Sequence, residues 1–418
     1  MTAASPRLRS FLRSSTLYLG LAGMFAAGHM VSPQFLTIDN QRDVLWQVSG
    51  IGIIAIGMTL VILTAGIDLS VGSMLSLCSV VCAMLLMKRE WTHATTLAIP
   101  SFAVTCGLLA GGIAAACRIG GATTTPTLAR RLLSWAIGLA GAGAGAVWAV
   151  RQVPTGFGVV GVLLVVPTVG LVLGGLSGTI IAKARLQPFI VTLAMMVSAV
   201  GLAKYVAGLG GAIQPVYMGG PAGEPSAPAT FKRLAENIFP VAGSELIPIP
   251  GIFFVASAVL AWLLLNKLGV GRRVLAVGGN EEAGRLSGIN TDRVKILVYA
   301  LSGLVSALAA VLYCAQFEQG KPDAGWGKEL DAIAAVVIGG TSLMGGRGTV
   351  GGTVVGVFIF GYLNNILNLG GVSSEFQQIL KGVIIVTAVL LQEGIVARWI
   401  GGAYRRIKGL LAIRGIGS

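Results

Sequence analysis

Charge is what this 418-residue sequence has least of. Asp, Glu, Lys and Arg make up 11% of it, against about 25% in an ordinary soluble domain. Histidine is nearly missing, with two copies, and the acidic residues number only 16. His29 falls in the first apolar stretch and His93 in a loop, so they form no pair. No G-x-x-x-x-G-K-[ST], G-x-S-x-G or H-E-x-x-H sequence occurs. Those absences exclude P-loop nucleotide binding and argue against nucleophile-elbow and zinc-helix hydrolysis. The five cysteines are Cys78, Cys82, Cys106, Cys117 and Cys314, all in or at the ends of apolar segments. Cys78 and Cys82 share a helix face, but no His or carboxylate stands near them to complete a ligand set. They read as small packing residues. No catalytic group, metal site or bound cofactor is expected on this chain.

What is abundant is apolar sequence: 55% of the residues are hydrophobic and the mean hydropathy is +0.84. Stretches of about 18 or more uncharged residues recur, long enough to cross a bilayer as helices. Twelve such segments are expected, near 16–34, 44–66, 69–87, 94–117, 132–150, 157–182, 187–208, 250–267, 295–316, 329–345, 350–371 and 377–397. The fold class is therefore all-α, a polytopic membrane protein of about 10–12 transmembrane helices with broken or re-entrant segments. Residues 1–418 read as one transmembrane domain. The second and third segments abut with only "GIDLSVG" between them, and the tenth is short and interrupted by glycine.

The net charge of +14 does not point to nucleic acid. If the N-terminus is cytoplasmic and the segments alternate, about 20 of the 30 Lys and Arg fall on the cytoplasmic side, the bias expected of a membrane protein. Arg7, Arg9 and Arg13 precede the first segment, which is expected to be an uncleaved membrane helix. An even span number places the C-terminal "YRRIKGLLAIR" in the cytoplasm too. Residues 209–249, with Pro215, Pro221, Pro225, Pro228, Pro240 and Pro248, then form a periplasmic loop, and residues 268–294 a cytoplasmic one.

The cytoplasmic loop carries local structure. Gly278 and Gly279 break any preceding helix, Asn280 suits an N-cap, and Glu281 and Glu282 occupy a first turn where the helix dipole favours anions. Gly288 suits a stop, and Thr291 is expected to cap the next helix. Ala283 and Leu286 give the short helix an apolar edge, with Arg285 between them. Such a polar loop held between spans is a candidate partner surface; the alternative is a passive connector.

Asp68, in "LTAGIDLSVGSML" (63–75), is a carboxylate within apolar sequence, a placement that costs about 2.5–3.5 kcal/mol on insertion scales unless it faces a cavity or a partner. Asp331 in "KELDAIAAVV" is the next such case. Either Asp68 or Ser70 could cap the third helix, flanked by Gly66 and Gly72, and a cap can lie beside a pathway. Pro188 suits a first helical turn ahead of Phe189 and Thr192. Asn364 and Asn365 lie inside an apolar segment, where they could bond a solute or join helices. "VILTAGIDLSVGSMLS" is weakly echoed by "VVIGGTSLMGGRGTVGG" at 336–352, and paired broken helices point to a transport path.

Four stretches, "GMTLVILTAGIDLSVGSML" (57–75), "LQPFIVTLAMM" (186–196), "GRRVLAVGGNEEAGRLSGI" (271–289) and "AVVIGGTSLMGGRGTVGG" (335–352), together resemble the membrane permease subunits of ribose/xylose-type sugar ABC importers. The resemblance implies a homodimeric permease in the bacterial inner membrane. It implies an ATP-binding cassette protein with tandem cassettes, which holds ATP-Mg, and a periplasmic sugar-binding protein. Residues 279–288 would correspond to the coupling segment that docks on the ATPase. Two departures stand out: residues from about 90 to 156 supply two further segments, and Ser177 replaces an Asn usual before "PFIVTL". A transporter driven by an ion gradient is the competing class, and would call for more intramembrane carboxylates along its path.

Overall fold

The computed structural model describes residues 6–119, 128–208, 215–219, 227–241 and 244–392. The C-terminal basic group beyond Gln392, and Pro221 and Pro225, lie outside the described residues. The helices run in order as α1 (Pro6–Val31), α2 (Ile38–Leu63), α3 (Val71–Met87), α4 (His93–Ile119), α5 (Leu128–Gln152), α6 (Val159–Lys183) and α7 (Pro188–Ala207). A two-residue strand β1 (Val216–Tyr217), a single turn α8 (Ala229–Lys232) and the strands β2 (Asn237–Val241) and β3 (Ser244–Pro248) follow. Next come α9 (Ile249–Asn266), α10 (Gly269–Gly279), α11 (Glu281–Leu286), α12 (Thr291–Phe317) and β4 (Gln319–Gly320). The chain closes with α13 (Lys328–Ile338), α14 (Val350–Leu369) and α15 (Ser374–Gln392).

Each of the twelve apolar segments corresponds to a helix. Among the described residues, eight helices are long and apolar enough to cross a membrane by length and composition. The others include the two flanking the expected breaks. At 1.5 Å per residue, α3 is about 25 Å long and α13 about 16 Å, both short of the roughly 30 Å hydrocarbon core. The tenth segment was expected to continue to 345, but α13 stops at Ile338. Gly340 adopts φ +87°, a left-handed value that ends a helix cheaply only at glycine.

The core is built around α12, which packs on α6, α2 and α3. Its closest partner is α6. A Cβ at Gly170, Gly174 or Gly178 would strike the backbone of Gly303, Tyr299 or Ile296, so glycine every fourth residue lets two helix backbones touch. Ser177 lies on this buried side of α6, its hydroxyl donating to the Leu173 carbonyl at 3.3 Å. Cys78, Cys82 and Cys314 behave as packing residues: all three are buried, and the Cys314 thiol donates to the Ser79 carbonyl.

The polar connections lie at the two ends of the bundle. At one end β1 pairs with β4 in antiparallel register, Val216 opposite Gly320, and Lys232 meets Glu318 at 2.6 Å. At the other end α2 stops, α3 starts, and α10 and α11 run between α9 and α12. This second end, called the junction below, holds most of the residues singled out by sequence.

Candidate functional site

The junction starts where α2 ends. Thr64, Ala65 and Gly66 turn their N–H groups back onto the Val61 and Ile62 carbonyls at 2.9–3.2 Å. Ala65 sits at φ +59°, a left-handed conformation that costs a non-glycine residue roughly 1–2 kcal/mol. The break is therefore a held conformation rather than a slack loop.

Asp68 follows in this break and is 2% exposed. One carboxylate oxygen accepts the Ser70 N–H at 3.0 Å and the Ser70 hydroxyl at 2.6 Å; the other accepts the Ser302 hydroxyl of α12 at 2.8 Å. The expected helix cap is corrected here. Ser70 occupies the N-cap position of α3 but makes no side-chain capping bond. Its backbone is already helical, at φ −82° and ψ −8°, and its hydroxyl is committed to Asp68. The carboxylate closes an Asx-turn ahead of the helix and ties that turn to α12.

The other motifs arrive from three directions. Pro188 is the first residue of α7, as its missing N–H favours. One turn on, the buried Thr192 hydroxyl lies 3.0 Å from the Pro188 carbonyl and 3.3 Å from the Ile67 carbonyl within the break. Phe189 faces outward. From α10, Gly278 approaches so closely that a Cβ would overlap the Leu63 carbonyl. That same carbonyl accepts the Gly346 N–H at 3.0 Å. Gly345 and Gly346, at φ +80° and +69°, belong to the turns linking α13 to α14. The two broken helices thus meet at one hydrogen bond, with α10 wedged beside it. Gly72, farther along α3, is crowded instead by the Gly325 carbonyl and the Glu329 carboxylate.

The loop after α10 forms the short capped helix that its sequence predicts. Asn280 caps α11, its Oδ1 accepting the Ala283 N–H at 2.9 Å, and Gly288 ends the turn at φ +83°. Thr291 was expected to cap α12, but Asn290 does so, accepting the Arg293 N–H at 3.0 Å. Asn290 precedes the helix with the extended backbone a cap requires, whereas Thr291 is already its first residue. Helix α10 itself was not anticipated.

Glu281 is held by Lys295 of α12 at 2.7 Å and by Arg285 one turn ahead at 3.5 Å, while Arg285 also reaches the Thr291 hydroxyl at 3.3 Å. Glu282, Ala283 and Leu286 are left pointing away from the bundle, Leu286 at 85% exposure. Behind α11 lies a cavity of about 340 Å³, walled by Thr64, Gly66, Pro188, Glu281, Lys295 and Tyr299 among others.

Three singled-out residues lie elsewhere. Asn365 pairs with Asn40 through reciprocal amide bonds of 2.8 and 3.1 Å, near the start of α2 and about 35 Å from the break by helix rise. Asn364 lies beside it, its side-chain oxygen buried without a hydrogen-bond partner among the described residues. Asp331 joins Lys381 of α15 at 3.2 Å. Sequence reasoning missed Lys295, Tyr299 and Ser302; their spacing of four and then three along an apolar helix was the available signal.

A bundle of apolar helices with two interrupted spans meeting at a buried junction defines a polytopic membrane permease. The chain belongs to a family described as the branched-chain amino acid transport system / permease component, whose pattern it matches over residues 121–389. It is 34% identical to the ribose import permease protein RbsC of Haemophilus influenzae, over 91% of this chain and 93% of that protein. It is 36% identical to the protein of the same name from Escherichia coli K12, over 92% and 95%. It is 31% identical to the galactose/methyl galactoside import permease protein MglC of that organism, over 92% and 95%. No solved structure matches the chain.

Proposed function

We propose that the chain is the membrane permease of an ATP-driven importer, giving a monosaccharide its path across the bacterial inner membrane. Relatives named for ribose and galactose import support the sugar class, and a pentose such as ribose is the solute to test first. On this reading two copies form the path. A periplasmic binding protein delivers the sugar, and a separate protein with tandem cassettes binds ATP-Mg and hydrolyses it. The junction end and both termini face the cytoplasm, and residues 209–249 face the periplasm.

The observation that carries the reading is α11. It is a capped helix, braced on α12 by Glu281–Lys295, that still offers Glu282, Ala283 and Leu286 outward. A braced helix with a free apolar and acidic face suits docking by a protein that must push on the membrane helices. Gly279, Asn280, Arg285 and Gly288 set its position. Asp68, Ser70, Gly66, Pro188 and Thr192 act as the fastening of the helix break. The pairs Asn365–Asn40 and Asp331–Lys381 join helices away from it.

Reconstitution tests this. The chain, its ATP-binding partner and its sugar-binding protein are placed in liposomes with radiolabelled ribose. Uptake that requires ATP hydrolysis and all three proteins is expected. Uptake by this chain alone, driven by a proton or sodium gradient, would replace the reading with an ion-coupled transporter.

A further inference from the structure

One face of α12 connects features that are otherwise separate. Lys295, Tyr299 and Ser302 follow at intervals of four and three residues, so they share a side of the helix over about 10 Å. Each holds a different part of the junction. Lys295 binds Glu281 of α11 at 2.7 Å. Tyr299 sits over Gly66, where a Cβ would collide with its hydroxyl. Ser302 donates to the Asp68 carboxylate at 2.8 Å. The stripe therefore runs from the outward-facing helix to the fastening of the break between α2 and α3.

The middle residue is the unusual one. Tyr299 is 1% exposed and its hydroxyl has no hydrogen-bond partner among the described residues. A buried phenol normally finds one, and leaving it unpaired disfavours the state that does so. Tyr299 and Gly66 are walls of the same cavity as Glu281 and Lys295. An inward movement of α11 that narrowed the cavity would carry Glu281 toward the Tyr299 side. Such a pair of arrangements, one with the hydroxyl unpaired and one with it bonded, is the two-state element that coupling between distant sites requires.

We propose that this face of α12 carries displacement of α11 to the helix break, with Tyr299 as the residue whose hydrogen bonding changes between the two arrangements. Tyr299 and Ser302 are positioning residues, acting on the break and not on solute. The proposal rests on α11 being the ATPase docking element, and the test separates the two ideas.

The complete transporter is followed by hydrogen exchange, with and without ATP and vanadate, in the wild type and in Tyr299→Phe and Ser302→Ala. In the wild type, exchange should change both in α11 and in residues 64–70. In each variant the change at 64–70 should fall by about fivefold or more while that in α11 persists, a loss within the range seen for residues along a coupling route. The Tyr299→Phe protein should melt no lower than the wild type, because removing an unpaired hydroxyl does not weaken the resting state. A lowered melting temperature with an intact response at 64–70 marks a merely structural tyrosine and overturns the proposal. So does a wild-type response in either variant. If α11 responds in the wild type and 64–70 does not, docking stands and the stripe falls; if α11 itself is silent, both fall.

Discussion

Helices α2 and α5 are both apolar enough to span a bilayer, yet the structure uses them in opposite ways. In the most apolar 18-residue stretch of α2, 72% is buried within the protein; in that of α5 the share is 11%. Helix α2 is enclosed by α12, α14, α9 and α13. Helix α5 packs chiefly on α4, through Gly138, Gly141 and Gly145 against Gly107, Ala110 and Cys106. Its other side, with Trp135 and Leu139, is exposed. The α4–α5 hairpin coincides with the extra segments at 90–156. Apolarity therefore marks what can enter a membrane and is silent about which helices the protein encloses. The candidate site lies where polar groups and backbone breaks interrupt the apolar sequence.

Substitutions can break that contrast, and the largest effect is expected at Gly278. Gly278→Val drives a side chain into the Leu63 carbonyl and the Gly346 N–H, an overpacking that costs about 1–3 kcal/mol or more. Transport should be lost and the melting temperature should fall. Gly143→Ala in α5, where a Cβ meets nothing within 4 Å, should leave both intact and add up to about 1 kcal/mol of helix stability. A similar penalty at both sites would erase the distinction.

Asp68→Leu strips partners from the Ser70 N–H and the Ser302 hydroxyl and should lower stability by about 1–3 kcal/mol. Asp68→Asn keeps an accepting oxygen and should lose less than half as much by thermal denaturation in detergent. Equal losses would mean that the negative charge itself matters. Glu282→Lys should abolish co-purification with the ATP-binding partner while shifting unfolding by no more than about 0.5 kcal/mol, because its side chain is exposed. Binding at wild-type strength would remove the docking assignment. The smallest effect is expected from Leu139→Ala, at a position 73% exposed on α5, with less than about 0.5 kcal/mol in unfolding and unchanged uptake.

Legibility followed the range of the interactions involved. The twelve helices were readable because apolar length is a local property. Asn280 as a cap, Gly288 as a stop and Pro188 as a helix start were readable because each acts within a turn of itself. Helix α10 was not, since its sequence "GVGRRVLAVGG" carries four glycines and is held by contacts with α9, α2 and α12. Asp68 was recognised as costly but assigned the wrong bond, because its second partner, Ser302, is 234 positions away. The choice between Asn290 and Thr291 as a cap turned on one residue of backbone conformation. The short strands β1, β2 and β3 left no mark in a loop rich in proline.

By itself the sequence determined the all-helical membrane architecture, the two interrupted spans and the short capped helix outside them. Those follow from the cost of burying polar backbone in hydrocarbon and from bonds between near neighbours. Only the tertiary structure decided that both breaks and the glycine-rich end of α10 converge on the Leu63 carbonyl, and that one face of α12 reaches from Glu281 of α11 to Asp68 in the break. Close approach of backbones depends on helix positions in space, which no local pattern encodes.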